Sequence, residues 1–197
     1  MSGKAGRWLV FAVVSAVVFG LDQLAKWLVV QNLALGESWV PVPAIADVIR
    51  VTRSYNTGAA FGMFPMGSNV IVVLAFITVA VFLWMVPTLP PNAWLSRVGI
   101  ALTTGGALSN AVDRLRFDHV VDYVHVQLTP TFANISNFAD HAITVGVILL
   151  LIDQWLHAPE HAESEAATTV VEEDELAESF PGDGPSVPPA AVDSTGR

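Results

Sequence analysis

Apolar residues gather along this chain in four long stretches, at about 8–30, 70–86, 93–115 and 138–156. At about 1.5 Å of rise per helical residue, each approaches the roughly 30 Å thickness of a bilayer's hydrocarbon core. The pattern predicts four membrane-spanning helices. Between the second and third lies only Pro87-Thr-Leu-Pro-Pro-Asn92, whose prolines end one helix before the next begins, so the two read as a helical hairpin. The longer connections, about 31–69 and 116–137, emerge on the opposite side from this turn and face each other across one surface. Each carries a run rich in β-branched residues, Val48-Ile-Arg-Val-Thr-Arg-Ser-Tyr55 and Val120-Val-Asp-Tyr-Val-His-Val126. Short strands there would form a small sheet capping the bundle.

Composition agrees with a membrane chain: 53% of residues are hydrophobic and 14% charged, with mean hydropathy +0.55. A water-soluble globule is not expected. The first apolar stretch follows Lys4 and Arg7 in the manner of a secretory signal. It runs on past Asp22, Gln23 and Lys26 to Val30, longer than a signal core of about 7–15 residues, and reads as an uncleaved first helix. An even number of spans puts both termini on one side. Lys and Arg are spread over both sides, but Lys4 and Arg7 beside the first helix favour a cytoplasmic location for the termini.

The formal charge of −9 belongs to one end of the chain. Residues 1–157 hold 8 acidic and 8 basic side chains, whereas 158–197 hold 10 acidic side chains and Arg197 alone. The division is therefore a membrane domain over 1–157 and an acidic tail over 158–197, expected to be disordered in the cytoplasm. No basic patch suggests nucleic acid. Cysteine is absent, which excludes disulfides, thiolate metal sites and thiol nucleophiles.

Charges within spans cost enough that those retained face a protein interior or a site. Asp22 and Lys26 lie at i, i+4 and read as an internal ion pair. Asn110, Asp113 and Arg114 share a face near the end of the third span. Upstream, Gly99, Ala101, Gly105, Gly106, Ala107 and Ser109 are small enough to let a neighbouring helix approach closely. Asp122 interrupts a strand-like run, and Asp140 falls in the first turn of the fourth span, where a helix N-terminus favours a carboxylate. Brought within a few ångströms, two such acids share one proton, so that one activates water while the protonated partner polarises a carbonyl. Intramembrane acids also serve proton-coupled transporters, which place their sites near the midplane. His119, His125 and His141 keep a metal protease in view, although no His-Glu-x-x-His motif is present. A structural scaffold is a further reading.

Five motifs in order now matter together: Asp22-Gln-Leu-Ala-Lys26, Asn56-Thr-Gly-Ala-Ala-Phe61, Gly105-Gly-Ala-Leu-Ser-Asn-Ala-Val-Asp-Arg114, Val120-Val-Asp-Tyr123 and Asn137-Phe-Ala-Asp140. The set resembles lipoprotein signal peptidase, also called signal peptidase II, over about residues 8–157. The resemblance implies an all-α membrane fold of four transmembrane helices with a small extracytoplasmic β-sheet that cradles substrate. It implies an intramembrane aspartic endopeptidase of the bacterial cell membrane, using no metal or other cofactor. Such an enzyme cuts diacylglyceryl-modified prolipoproteins just before the lipidated cysteine. By motif matching the catalytic pair falls on Asp122 and Asp140, with Asp22, Lys26, Asn56, Gly58, Asn110, Asp113, Arg114 and Asn137 as supporting or substrate-binding residues. The expected partners are the lipid-modified prolipoprotein, membrane lipid and a globomycin-type inhibitor. Arg50 and Arg53 are candidates for lipid phosphates. Two features depart from the family pattern: Ser136 stands where Phe is usual, and the acidic tail lies outside the usual core.

Overall fold

The computed structural model describes residues 4–58, 67–90, 92–129 and 131–157. The expected acidic tail and residues 59–61 of the Asn56 motif lie outside the described residues. The chain up to Trp155 forms one compact unit. In order, its elements are α1 (Lys4–Asn32), β1 (Ser38–Trp39), a single 3-10 turn (Pro43–Ile45), β2 (Ile49–Asn56), α2 (Gly67–Met85), α3 (Trp94–Phe117), β3 (Val120–Thr129) and β4 (Phe132–Ser136). The last helix, α4, runs over Phe138–His157. The four helices cover the four apolar stretches, and β2 and β3 cover the two β-branched runs.

Among the described residues, two helices, α1 over Ala5–Asn32 and α4, are long and apolar enough to cross a membrane. The apolar part of α2, Asn69–Met85, is shorter. With 24 residues α3 has the length, but Thr, Ser, Asn, Asp and Arg side chains dilute its hydropathy. Its position explains this composition. It packs against both α1 and α2, and glycines on it meet the backbone of α1 and α4. A methyl group added at Gly105 would lie 2.6 Å from the Ser15 carbonyl of α1, and one at Gly106 would lie 2.5 Å from the Ala139 carbonyl of α4. Adjacent glycines thus let two helices close on α3 from different sides.

The distribution of polarity is inverted relative to a water-soluble protein. Leu9, Val13, Val17, Leu21, Leu24 and Trp27 of α1 are exposed, as are Ile148, Leu151 and Trp155 of α4. Asp22, Lys26, Asn110, Asp113 and Asn137 are buried. An apolar exterior around a hydrogen-bonded polar interior is stable against lipid, where an outward charge is penalised and an outward leucine is not. The apolar cluster of Phe11, Val86, Leu89, Ile100 and Ala101 lies at the hairpin end.

At the other end, the strands form one antiparallel sheet in the order β1-β2-β3-β4. Its two long strands come from the two long connections, which therefore meet on one face. The β2–β3 register passes from Val51↔Val124 to Ser54↔Asp122, leaving one extra residue on β2. Such a bulge bends a strand and re-aims its side chains, here beside Asp122. The turn into β3 is equally tight. Asp118 closes α3 in the left-handed conformation (φ 60°) and donates its N–H to the Arg114 carbonyl at 3.0 Å, so that β3 starts two residues later.

Candidate active site

The beginning of α4 organises the site. An α-helix leaves its first N–H groups without partners inside the helix, and every one here through Asp140 is met by a side chain. Asn137 and Asp140 form a reciprocal cap, with Asp140 N–H donating to Asn137 Oδ1 at 2.9 Å and Asn137 N–H donating to Asp140 Oδ2 at 3.3 Å. Between them, Phe138 N–H donates to the Tyr123 hydroxyl at 3.2 Å and Ala139 N–H to Asp22 Oδ1 at 3.0 Å. Asp140 is thereby held by its own helix, while β3 and α1 hold that helix in place.

Asn137 also joins the two candidate acids. Its Nδ2 donates to Asp122 Oδ1 at 2.7 Å and to Asn110 Oδ1 at 3.2 Å. Asn110 Nδ2 in turn donates to Asp140 Oδ1 at 2.7 Å. Deeper in the bundle, Lys26 Nζ lies 2.7 Å from Asp22 Oδ2, 2.8 Å from Asp113 Oδ2 and 2.8 Å from Asn110 Oδ1. Asp113 Oδ2 accepts the Val121 N–H at 3.2 Å, which ties the start of β3 to α3. Asp22, Lys26, Asn110, Asp113, Asp122, Asn137 and Asp140 therefore share one hydrogen-bonded network.

The remaining sequence-derived residues border an open cleft of about 570 Å³, lined by Ser54, Asn56, Gly58, Arg114, Asp122 and Ile135 among others. Gly58 takes φ +73°, a conformation that side chains disfavour, and a methyl group there would fall 2.7 Å from Ile71 Cδ1. Its N–H donates to Asn56 Oδ1 at 2.9 Å. That bond turns the Asn56 amide N–H toward Asp122. Arg114 Nη1 donates to the Asn110 carbonyl at 3.2 Å.

Burial pushes the Asp122 carboxyl up to about 6, and the charge of Asp140 acts in the same direction against hydrogen bonds from Asn56 and Asn137 and the charge of Lys26. Asp122 is 2% exposed and yet borders the cleft. A carboxyl so placed exchanges a proton near neutral pH, as general acid–base chemistry requires. Burial, with Asp22 nearby, likewise pushes the Tyr123 phenol up, so it stays a neutral hydroxyl.

Three bracing residues were not singled out as site residues by sequence. Gln23 Nε2 donates to Asp113 Oδ1 at 2.8 Å and to Ser109 Oγ at 3.0 Å. Ser109 donates to Asp22 Oδ2 at 2.6 Å, and Tyr123 stands between Asp22 and α4. Each adjoins a motif acid or amide in sequence, which was the available signal. Other candidates are engaged elsewhere. Arg50 contacts His125 and Gln127, while Arg53 donates to the Val30 and Leu33 carbonyls at the end of α1. His119 stacks on Tyr55 with ring centroids 3.8 Å apart, and His141 meets Ser136 at 3.3 Å. The histidines are thus dispersed among separate partners.

Comparison with known proteins gives a consistent result. The sequence model for Signal peptidase (SPase) II matches residues 14–156. The lipoprotein signal peptidase of Geobacillus thermodenitrificans is 37% identical over 152 residues, covering 77% of this chain and 93% of that protein. Its counterpart from Desulfitobacterium hafniense is 40% identical over 136 residues, covering 69% and 86%. Among solved structures, a bacterial membrane enzyme determined by the in meso method at 2.3 Å resolution superposes with a TM-score of 0.67 at 25% identity, covering 75% of this chain and 88% of that one.

Proposed function

The chain belongs to the signal peptidase II family, and from that premise we propose that Asp122 and Asp140 are its catalytic pair. The protein is an aspartic endopeptidase that removes signal peptides from prolipoproteins. The observation that carries the assignment is Asn137, which donates to Asp122 and caps the helix turn bearing Asp140. One carboxylate takes a proton from water as the oxygen attacks the scissile carbonyl, while the protonated partner donates to the carbonyl oxygen. Collapse of the resulting diol, with a proton passed to the departing nitrogen, frees the signal segment as a carboxylic acid and leaves the lipidated cysteine with a free amine.

The reading extends to the setting. All four helices cross the cell membrane, with α3 shielded from lipid by its neighbours, both termini in the cytoplasm and the sheet outside. A lipidated precursor is anchored by its acyl chains and its apolar signal helix, which confines its scissile bond near the membrane surface. Acids at the sheet end of the helices reach it there. The cleft beside Asp122 takes the peptide around that bond, and a globomycin-type cyclic peptide competes for the same space.

The decisive experiment incubates the purified protein with a diacylglyceryl-modified precursor and follows release of the signal segment. Cleavage before the lipidated cysteine, blocked by globomycin and unaffected by chelators, is expected. Solute movement in liposomes without cleavage would instead favour a proton-coupled transporter.

A further inference from the structure

Lys26 meets the proposed catalytic pair through Asn110. An ammonium has three N–H donors and no acceptor, and Lys26 directs them to Asp22, Asp113 and Asn110 Oδ1. An asparagine amide has two ends of nearly equal shape and opposite hydrogen-bonding sense. A partner that can only donate removes the choice. The Asn110 oxygen must face Lys26, so its NH2 group faces away, where Nδ2 donates to Asp140 Oδ1 at 2.7 Å. The Asn137 amide is set in the same way by the Asp140 N–H on its oxygen, which leaves its Nδ2 for Asp122 and Asn110.

The orientation has a consequence for the two acids. Asp140 accepts the Asn110 amide on Oδ1 and the Asn137 N–H on Oδ2, so both of its oxygens are held as acceptors, the arrangement that suits an anion. Resting on the assignment of Asp122 and Asp140 as the catalytic pair, we propose that Lys26 is a positioning residue: it locks the Asn110 amide with its N–H toward Asp140. The lock keeps an N–H, and not a carbonyl, against Asp140 Oδ1. Without Lys26 only the longer bond from Asn137 Nδ2, at 3.2 Å, holds the Asn110 oxygen, and an amide that turns sets its carbonyl oxygen against the Asp140 carboxyl. The other titratable or charged groups facing this assembly are Asp22 on α1, Asp113 and Arg114 on α3, Tyr123 on β3 and His141 on α4, and the variants below leave all of them in place except where Asp113 is named.

The test is the pH dependence of kcat/KM for cleavage of the diacylglyceryl-modified precursor by the full-length protein in detergent. In Lys26→Gln the acid limb is expected to move upward by about one pH unit, the scale of one lost hydrogen bond to a charged group, with KM little changed. Lys26→Arg, another donor-only side chain, is expected to restore the wild-type limb. An acid limb unmoved in Lys26→Gln, with kcat lower by the same factor at every pH, would overturn the lock and leave Lys26 a packing residue. If Lys26→Gln does not fold, Lys26→Gln combined with Asp113→Asn removes both charges while keeping hydrogen-bonding groups, and an unmoved limb there overturns the proposal equally. A wild-type protein that releases nothing would defeat the peptidase reading itself, which separates the two failures.

Discussion

Asp22 and Asp113, on one side of the network, and Asp122 and Asp140, on the other, are joined through the same few amides and treated very differently. The first two flank an ammonium and take further donors from Ser109, Gln23 and the Ala139 and Val121 N–H groups. The second two are met by neutral amides from Asn110 and Asn137, and Asp122 borders an open cleft. Acids enclosed with a cation brace the fold. Asp122, met by amides and bordering the cleft, keeps its affinity for a proton.

The sharpest way to break this contrast is to neutralise one acid of the second set. Asp122→Asn or Asp140→Asn is expected to lower kcat about a thousandfold to ten-thousandfold, with the protein still folded and inserted, as measured by precursor cleavage beside thermal unfolding. Residual turnover above a tenth of wild type would erase the distinction between the sets. In the first set, Asp22→Ala leaves Lys26 short of a counter-charge and Ala139 N–H without its acceptor. A stability loss of about 3–5 kcal/mol is expected in reversible unfolding, and a variant as stable as wild type would show that the bracing role is misplaced.

Asp122 should also reveal itself through stability. Its folded value of about 6 exceeds the unfolded value of about 3.9, so the folded state binds the proton more tightly. That contribution is fully present below the unfolded value and is lost as pH rises through 6. Asp122→Asn removes the penalty and is expected to be more stable than wild type at neutral pH by about 2–3 kcal/mol, with the difference vanishing near pH 4. The smallest effect expected is for Tyr123→Phe, which deprives the Phe138 N–H of its acceptor: about 1 kcal/mol of stability and a modest fall in kcat. A larger loss of activity than of stability there would move Tyr123 toward the working side of the contrast.

Much of this arrangement could be read from the chain. The four apolar stretches gave four helices, of which α1 and α4 are long and apolar enough to cross a membrane. The β-branched runs gave β2 and β3, and the spacing of Asp22 and Lys26 gave their ion pair. Hydropathy described α3 less well, since a helix enclosed by others can carry Asn110, Asp113 and Arg114 without facing lipid. The short strands β1 and β4 carry too few residues to announce themselves. Tyr123 escaped because its partners, Asp22 and the Phe138 N–H, are remote in sequence and meet it only after the sheet has docked on the helices. Asn137 was recognised through its motif; that it links both acids needed coordinates, since an amide's reach and sense are set by what surrounds it.

The clamp on α4 has a bearing on how the protein is made. Asp22 lies on α1 and the Ala139 N–H it holds lies on α4, 117 residues further along the chain, so their union waits until α4 has been made. Until that helix arrives, Asp122 lacks the Asn137 amide and its acidic companion. On the proposed assignment, a nascent chain still lacking α4 therefore holds only half of its acidic pair.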